Sequence, residues 1–138
     1  MRVMLDANVV LSGLFFEGRE RELLKMALRG EMQLVVSEEI LLETRAIVER
    51  KFSGDAGKPI ALEMLELIGQ SAVKAGYAPA RLRAAEGLIR DAKDAPILAA
   101  ALAAKLDFFV TGDRDFMDGR VASKLRVVSP KGFFEAVA

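Results

Sequence analysis

Six acids in this 138-residue chain stand where carboxylates could act together. Asp6 is the only charge within the apolar stretch MLDANVVLSGLFF, and Glu43 lies early in the helical pattern SEEILLETRAIVERK. Asp94 opens DAPILAAALAAKL, with Asp91 three residues before it. Asp113 and Asp115 follow the apolar run FFV in FFVTGDRDF. Carboxylates held side by side repel and raise one another's pKa unless a cation sits among them. A metal centre is therefore the chemistry such a grouping suggests, provided the fold delivers the acids to one place.

What the chain lacks narrows that chemistry. It has no cysteine and no histidine, so thiolate ligands, cysteine nucleophiles, imidazole acid–base catalysis and histidine triads are excluded. A metal would be held by oxygen alone, which favours Mg²⁺ or Mn²⁺ over Zn²⁺. The formal net charge is zero, so bulk charge gives no support for nucleic-acid binding, and any such binding must use a local basic surface, a metal or both.

Each acid also fits a structural role. Asp94 could be a helix N-cap, Asp113 and Asp115 turn acids, and Glu43 a solvated helix position. Asp6 is hardest to assign to structure alone, because apolar residues surround it.

The elements that must position these residues can be read from spacing. Arg2 to Leu5 and Leu34 to Val36 read as short apolar strands, and Leu23, Leu24, Ala27 and Leu28 recur at helical spacing before a C-cap at Gly30. Ser37 can N-cap a helix to about Lys51, with Glu38 and Glu39 in its first turn. Residues 52–59 are turn-rich, 60–75 read as a helix ending near Gly76, and Asp94 to Leu106 as an Ala-rich helix with Pro96 in its first turn. Phe108 to Thr111 and Val127-Val128 are strands, and Pro130 to Ala138 closes the chain as a helix. Short apolar strands alternating with helices predict an α/β/α sandwich with a mainly parallel central sheet. With 52% hydrophobic and 29% charged residues, and no repeat, low-complexity segment or linker, residues 1–138 read as one domain. No stretch has the length of a membrane span or the layout of a signal peptide, so the expected location is cytoplasmic, with no membrane contact. In open sheets of this kind active sites gather at the C-terminal ends of strands, where Asp6 and Asp113 both fall.

The order LDANVV, then VVSEEILLETRAIVERKF, then DAKDAPILAAALAAKLDFFVTGDRDF resembles a PIN domain, and more narrowly the bacterial and archaeal PIN proteins that act as toxins of type II toxin–antitoxin pairs. The resemblance implies a metal-dependent ribonuclease. It carries the family's acidic positions onto Asp6, Glu43, Asp94 and Asp113, with Asp115 matching a fifth acid, and Asn8 and Thr111 matching supporting polar positions. It implies one or two Mg²⁺ or Mn²⁺ ions, a single-stranded or structured RNA substrate, a possible antitoxin protein and a homodimer. Such ions suit a phosphodiester, because they stabilise charge on attacking and leaving oxygens alike. Asp6, Asp94 and Asp113 are then expected to contact metal and Glu43 to hold or deprotonate the attacking water. Asp91 is a supporting acid. Arg45, Lys93 and Arg114 are candidates for phosphate contact, among the wider set of basic residues Arg50, Lys51, Arg90 and Lys131; Arg114 could equally be a counter-ion to its two acidic neighbours.

Two alternatives belong beside this reading. A haloacid-dehalogenase-like phosphatase also places Asp after its first strand, but its acid two residues on is here Asn8, which can neither give nor take a proton. A non-catalytic PIN-like module that binds RNA or protein would keep the shape without the chemistry. A P-loop is excluded, because Gly57-Lys58 is followed by Pro59 where Ser or Thr should hold Mg²⁺.

Overall fold

Strand β1 (Arg2–Leu5) is the centre of the molecule, and Val3, Met4 and Leu5 are wholly buried. A strand covered on both faces cannot alternate polar and apolar residues, which is why it reads as a continuous apolar run. In the computed structural model, which describes all 138 residues, β1 pairs in parallel with β2 (Gln33–Ser37) on one side and with β4 (Phe108–Val110) on the other. Strands β3 (Val73–Ala75) and β5 (Val127–Val128) form the edges, giving the order β3-β2-β1-β4-β5 with every pair parallel. The chain moves outward from β1 in one direction through β2 and β3, then returns to the other side of β1 for β4. The crevice between β1 and β4, at their C-terminal ends, is therefore the topological switch point where ligands bind in such sheets.

Helices cover the sheet: α1 (Ala7–Phe15), α2 (Arg19–Leu28), α3 (Glu38–Lys51), α4 (Lys58–Ser71), α5 (Pro79–Glu86), α6 (Ala95–Ala103), the single turn α7 (Gly119–Ala122) and α8 (Pro130–Val137). Ser37 caps α3 as expected, its hydroxyl accepting from the Ile40 N–H at 3.2 Å. Gly30 follows α2 with φ +75, a left-handed conformation that glycine adopts without steric penalty. Helix α6 is Ala-rich because it is buried nearly all round, with Leu98, Ala99 and Ala100 wholly inaccessible.

Several sequence expectations need correction. The helix expected over 60–75 stops at Ser71, and Val73–Ala75 instead pairs with β2, Val35 opposite Val73. A three-residue edge strand shows too little alternation to be separated from the end of a helix. Asp94 to Leu106 is not one helix: a 3-10 turn, Ala92–Asp94, precedes α6, which ends at Ala103 with Lys105 in the left-handed region at φ 53. Helices α1 and α5 have no clear period to announce them, α1 being mostly apolar and α5 a mixture of alanines and charged residues around one leucine. Phe133 is wholly buried while Phe16 is 58% exposed.

Helix α1 carries Asp6 at its N-cap and is held against α2 at Gly13, where an added Cβ would lie 2.8 Å from the Glu20 carbonyl oxygen and 2.7 Å from Leu24 Cδ1. Backbone cannot yield to that contact as a flexible side chain could. Gly13→Ala should therefore destabilise the protein by about 1–3 kcal/mol, read as a lower urea midpoint with an unchanged m-value. An unchanged midpoint would mean that the two helices are free to separate.

Candidate metal centre

The backbone ladder runs past the strand ends and fixes the first acid. Asp6 N–H donates to the Val110 carbonyl at 2.9 Å, and Thr111 N–H to the Val128 carbonyl at 3.0 Å. Asp6 is buried, and each of its carboxylate oxygens has a donor: Ala7 N–H at 2.9 Å and the Thr111 hydroxyl at 2.7 Å. Thr111, itself wholly buried, accepts in turn from Asp113 N–H at 3.0 Å. Asp113 accepts from Asp115 N–H at 2.9 Å. One chain of hydrogen bonds thus links the end of β1 to the turn after β4. Phe116 pins that turn to the core, stacked on Phe109 at 4.8 Å between ring centroids.

The second arm comes from the segment before α6. Asp91 starts the 3-10 turn and accepts from Lys93 N–H at 3.0 Å. Asp94 sits at the N-terminus of α6 with helical backbone angles, and its side chain makes no capping hydrogen bond. The capping role open to it in the sequence is therefore overturned. Carboxylate oxygens of Asp91, Asp94 and Asp115 lie within 4.8 Å of one another.

Charge on these groups is coupled. Loss of water raises the Asp94 carboxyl to about 7, and Asp113, Asp91, Asp6 and Glu43 push in the same direction. Burial raises Asp6, the hydrogen bonds from Thr111 and Ala7 oppose it, and Asp113 raises it further. Glu43 is exposed as a residue, yet partial desolvation of its carboxyl raises its pKa, followed by Asp6 and Asp113, with Lys93 opposing. Asp6, Glu43, Asp94 and Asp113 therefore share one field, although they come from four separate stretches of chain.

The other sequence candidates divide. Asp91 and Asp115 join the cluster, and Asp91, read only as supporting, is one of its three closest members. Asn8 is exposed on the first turn of α1. Arg45 faces the groove between α3 and α4 beside Glu66 and Lys74, some 200° round the helix from Glu43. Lys93 lies near enough to Glu43 to oppose its shift. Arg114 forms no ion pair with Asp113 or Asp115 and is not their counter-ion. Asp118, close by, is a cap: it accepts from Arg120 N–H at 2.9 Å. An all-carboxylate group in which the side chains of Asp94 and Asp115 accept no hydrogen bond has the donor chemistry that suits a hard divalent cation.

A model of the PIN domain family matches residues 2–115, a span that takes in all six acids. The chain belongs to the PIN domain family. Membership supports a nuclease in general terms. Solved structures of the same fold include VapBC2 from Rickettsia felis bound to a DNA fragment from their promoter, with TM-score 0.67 and 16% identity over 94% of this chain and 98% of that one. FitAcB from Neisseria gonorrhoeae has TM-score 0.63 and 22% identity over 94% and 98%. VapBC-1 from nontypeable Haemophilus influenzae has TM-score 0.59 and 18% identity over 95% and 99%. No curated protein matches the sequence significantly. No helix of this PIN domain protein is long and apolar enough to cross a membrane.

Protonated Asp94 stabilises the fold relative to its ionised form; that stabilisation is complete below 3.8 and is lost as pH rises through about 7. Asp94→Asn should therefore raise the unfolding temperature in EDTA at pH 8 and have little effect at pH 4. Solvent reaches this carboxyl, so the gain is on the order of 1 kcal/mol rather than the full value of the shift. A variant less stable than wild type at pH 8 would contradict the crowding.

Proposed function

We propose that this PIN domain protein is a metal-dependent endoribonuclease, and that its acid cluster holds one or two Mg²⁺ or Mn²⁺ ions. The observation that carries the reading is Asp94: an acid pushed to about 7 by loss of water and by four neighbouring carboxylates, with no cation of the chain to neutralise it. Perturbed acids of that kind, at the switch point of a parallel sheet, mark functional sites. Asp6, Asp94 and Asp113 would hold the metal, with Asp91 and Asp115 beside them. When bound, the ion supplies Lewis acidity to a phosphodiester and to its attacking water.

The chain's own residues do the rest. Thr111 donates to Asp6 and fixes its carboxylate plane, while the Asp113 N–H that bonds to Thr111 sets the turn after β4. Glu43, with its raised carboxyl, is the group to accept the water's proton on an Oε atom. Asn8 presents an exposed amide at the rim. The phosphatase alternative has no acid at residue 8 and does not fit the family.

A toxin role follows from the resemblance and from the VapBC and FitAcB neighbours. The antitoxin's natural seat is the apolar groove between α2 and α4, a cavity of about 230 Å³ lined by Leu24, Leu28, Met64 and Ile68 among others. Exposed Leu42 on α3 and Leu67 on α4 offer apolar surface to a second copy of the chain.

The test is cleavage of labelled single-stranded RNA in Mn²⁺, Mg²⁺ and EDTA. Wild type should cut only with metal. Asp94→Asn and Asp6→Asn should lose several kcal/mol of transition-state stabilisation, roughly a thousandfold in rate, while keeping their circular-dichroism spectra. Full cleavage in EDTA, or by Asp94→Asn, would refute the metal mechanism. A wild type that binds no Mn²⁺ would leave the non-catalytic module in its place.

A further inference from the structure

We propose that Arg90 and Arg114, with Arg120 at their side, form a seat for a phosphate of the substrate strand beyond the one that is cleaved. The proposal rests on the nuclease reading. The three arginines come from separate places: the segment before the 3-10 turn, the turn after β4, and α7. The fold brings them to one open cavity of about 390 Å³, completed by Asp115, Met117 and Asp118.

The acids of this cavity are otherwise committed. Asp118 caps α7 and accepts from Arg120 Nε at 3.3 Å, and Asp115 has its carboxylate in the group with Asp91 and Asp94. Arg90 and Arg114 are left with no ion pair, and no hydrogen bond holds either guanidinium. Arg2, Arg21 and Arg29 differ, since carbonyl oxygens of Ala104, Gly13 and Leu14 and the carboxylates of Glu22 and Glu31 engage them. A planar guanidinium fork matches phosphate oxygens two at a time, so a pair of free ones facing a cavity suits a phosphodiester.

Position gives the seat its meaning. Asp115 is at once a wall of this cavity and a member of the acid cluster, so the two sites share a boundary. An acidic centre repels a polyanion locally, and a chain of zero net charge supplies no bulk attraction to offset it. Two uncommitted arginines at the rim supply local attraction and set which direction the strand leaves the centre. The ligand class is therefore a single strand with at least one phosphate past the cleaved bond.

The experiment measures binding of a fluorescent single-stranded RNA hexamer in EDTA across a salt series, with Mn²⁺ binding by calorimetry and RNA cleavage in Mn²⁺ in parallel. The comparison is Arg90→Ala/Arg114→Ala against Lys25→Ala/Lys105→Ala. That second pair has the same net charge and lies toward the N-terminal ends of the strands, in the last turn of α2 and between α6 and β4. The arginine pair should bind roughly a hundredfold more weakly, about tenfold for each charged contact. Its salt slope should fall by about 0.7, the single-strand value for the one phosphate that the pair neutralises, with Mn²⁺ binding unchanged. Arg90→Lys/Arg114→Lys should retain most of the slope but less of the affinity, separating fork geometry from charge. Hexamer affinity and slope equal to those of the lysine control, with cleavage by wild type intact, would overturn the seat alone. Arginine-dependent binding by a wild type that neither binds Mn²⁺ nor cuts RNA would support the seat and overturn the nuclease reading.

Discussion

Mutual repulsion among carboxylates at the end of β1 and β4 is the constraint around which this molecule is organised. Asp6, Asp113, Asp91 and Glu43 all raise Asp94, and Asp6 and Glu43 each feel Asp113. A fold selected only for stability would disperse these charges. Here the ends of β1 and β4, the start of α6 and the second turn of α3 converge to hold them in place, and each carboxylate oxygen of buried Asp6 has its own donor. Thr111 is the keystone: its one hydroxyl donates to a buried carboxylate at the end of β1 and accepts from the backbone of its own turn after β4. A buried polar group fully satisfied in this way rigidifies its surroundings, whereas a half-satisfied one would weaken them.

The acids divide by what backbone amides do for them. Asp6, Asp91, Asp113 and Asp118 each accept a nearby N–H and so fix the turn that follows. Asp94 has no such bond and carries the largest raised shift among the acids. Glu43 and Asp115 likewise accept no backbone N–H; the anchored acids set geometry, and Asp94 registers the field around it. Asp118 lies outside that field: its carboxyl is held below its usual range by Arg120 and, more weakly, by Arg90. The boundary between the acidic centre and the arginine-lined cavity runs between Asp115 and Asp118.

Packing supports this arrangement from beneath. Phe109 and Phe116 stack across β4 and the acidic turn, and Phe108 meets Phe133 edge-on at 5.2 Å, with the Arg126 guanidinium over its ring. Aromatic contacts of this kind add to burial and leave the turn little freedom to move its acids apart. The close approach of α1 and α2 at Gly13 fixes the helix that Asp6 caps.

Local chemistry in the sequence determined a good deal. Continuous apolar runs at Val3–Leu5, Leu34–Val36 and Phe108–Val110 specified buried parallel strands, because a strand covered on both faces has no polar positions to show. Ser37 and Gly30 announced a helix start and a helix stop through capping and backbone preference. The absence of histidine and cysteine restricted any metal to oxygen donors. Other features depended on contacts that no local pattern records. Val73–Ala75 became a strand because β2 offered it an open edge, and α5 formed without a period of its own because packing on α6 supplied the stability. Asp94 looked like a cap, and only the 3-10 turn before α6 freed its carboxylate. Asp91 looked secondary until that same turn brought it within reach of Asp115, from a segment more than twenty residues away. Which charges meet is decided by how strands order themselves in the sheet, and that order is a property of the whole chain.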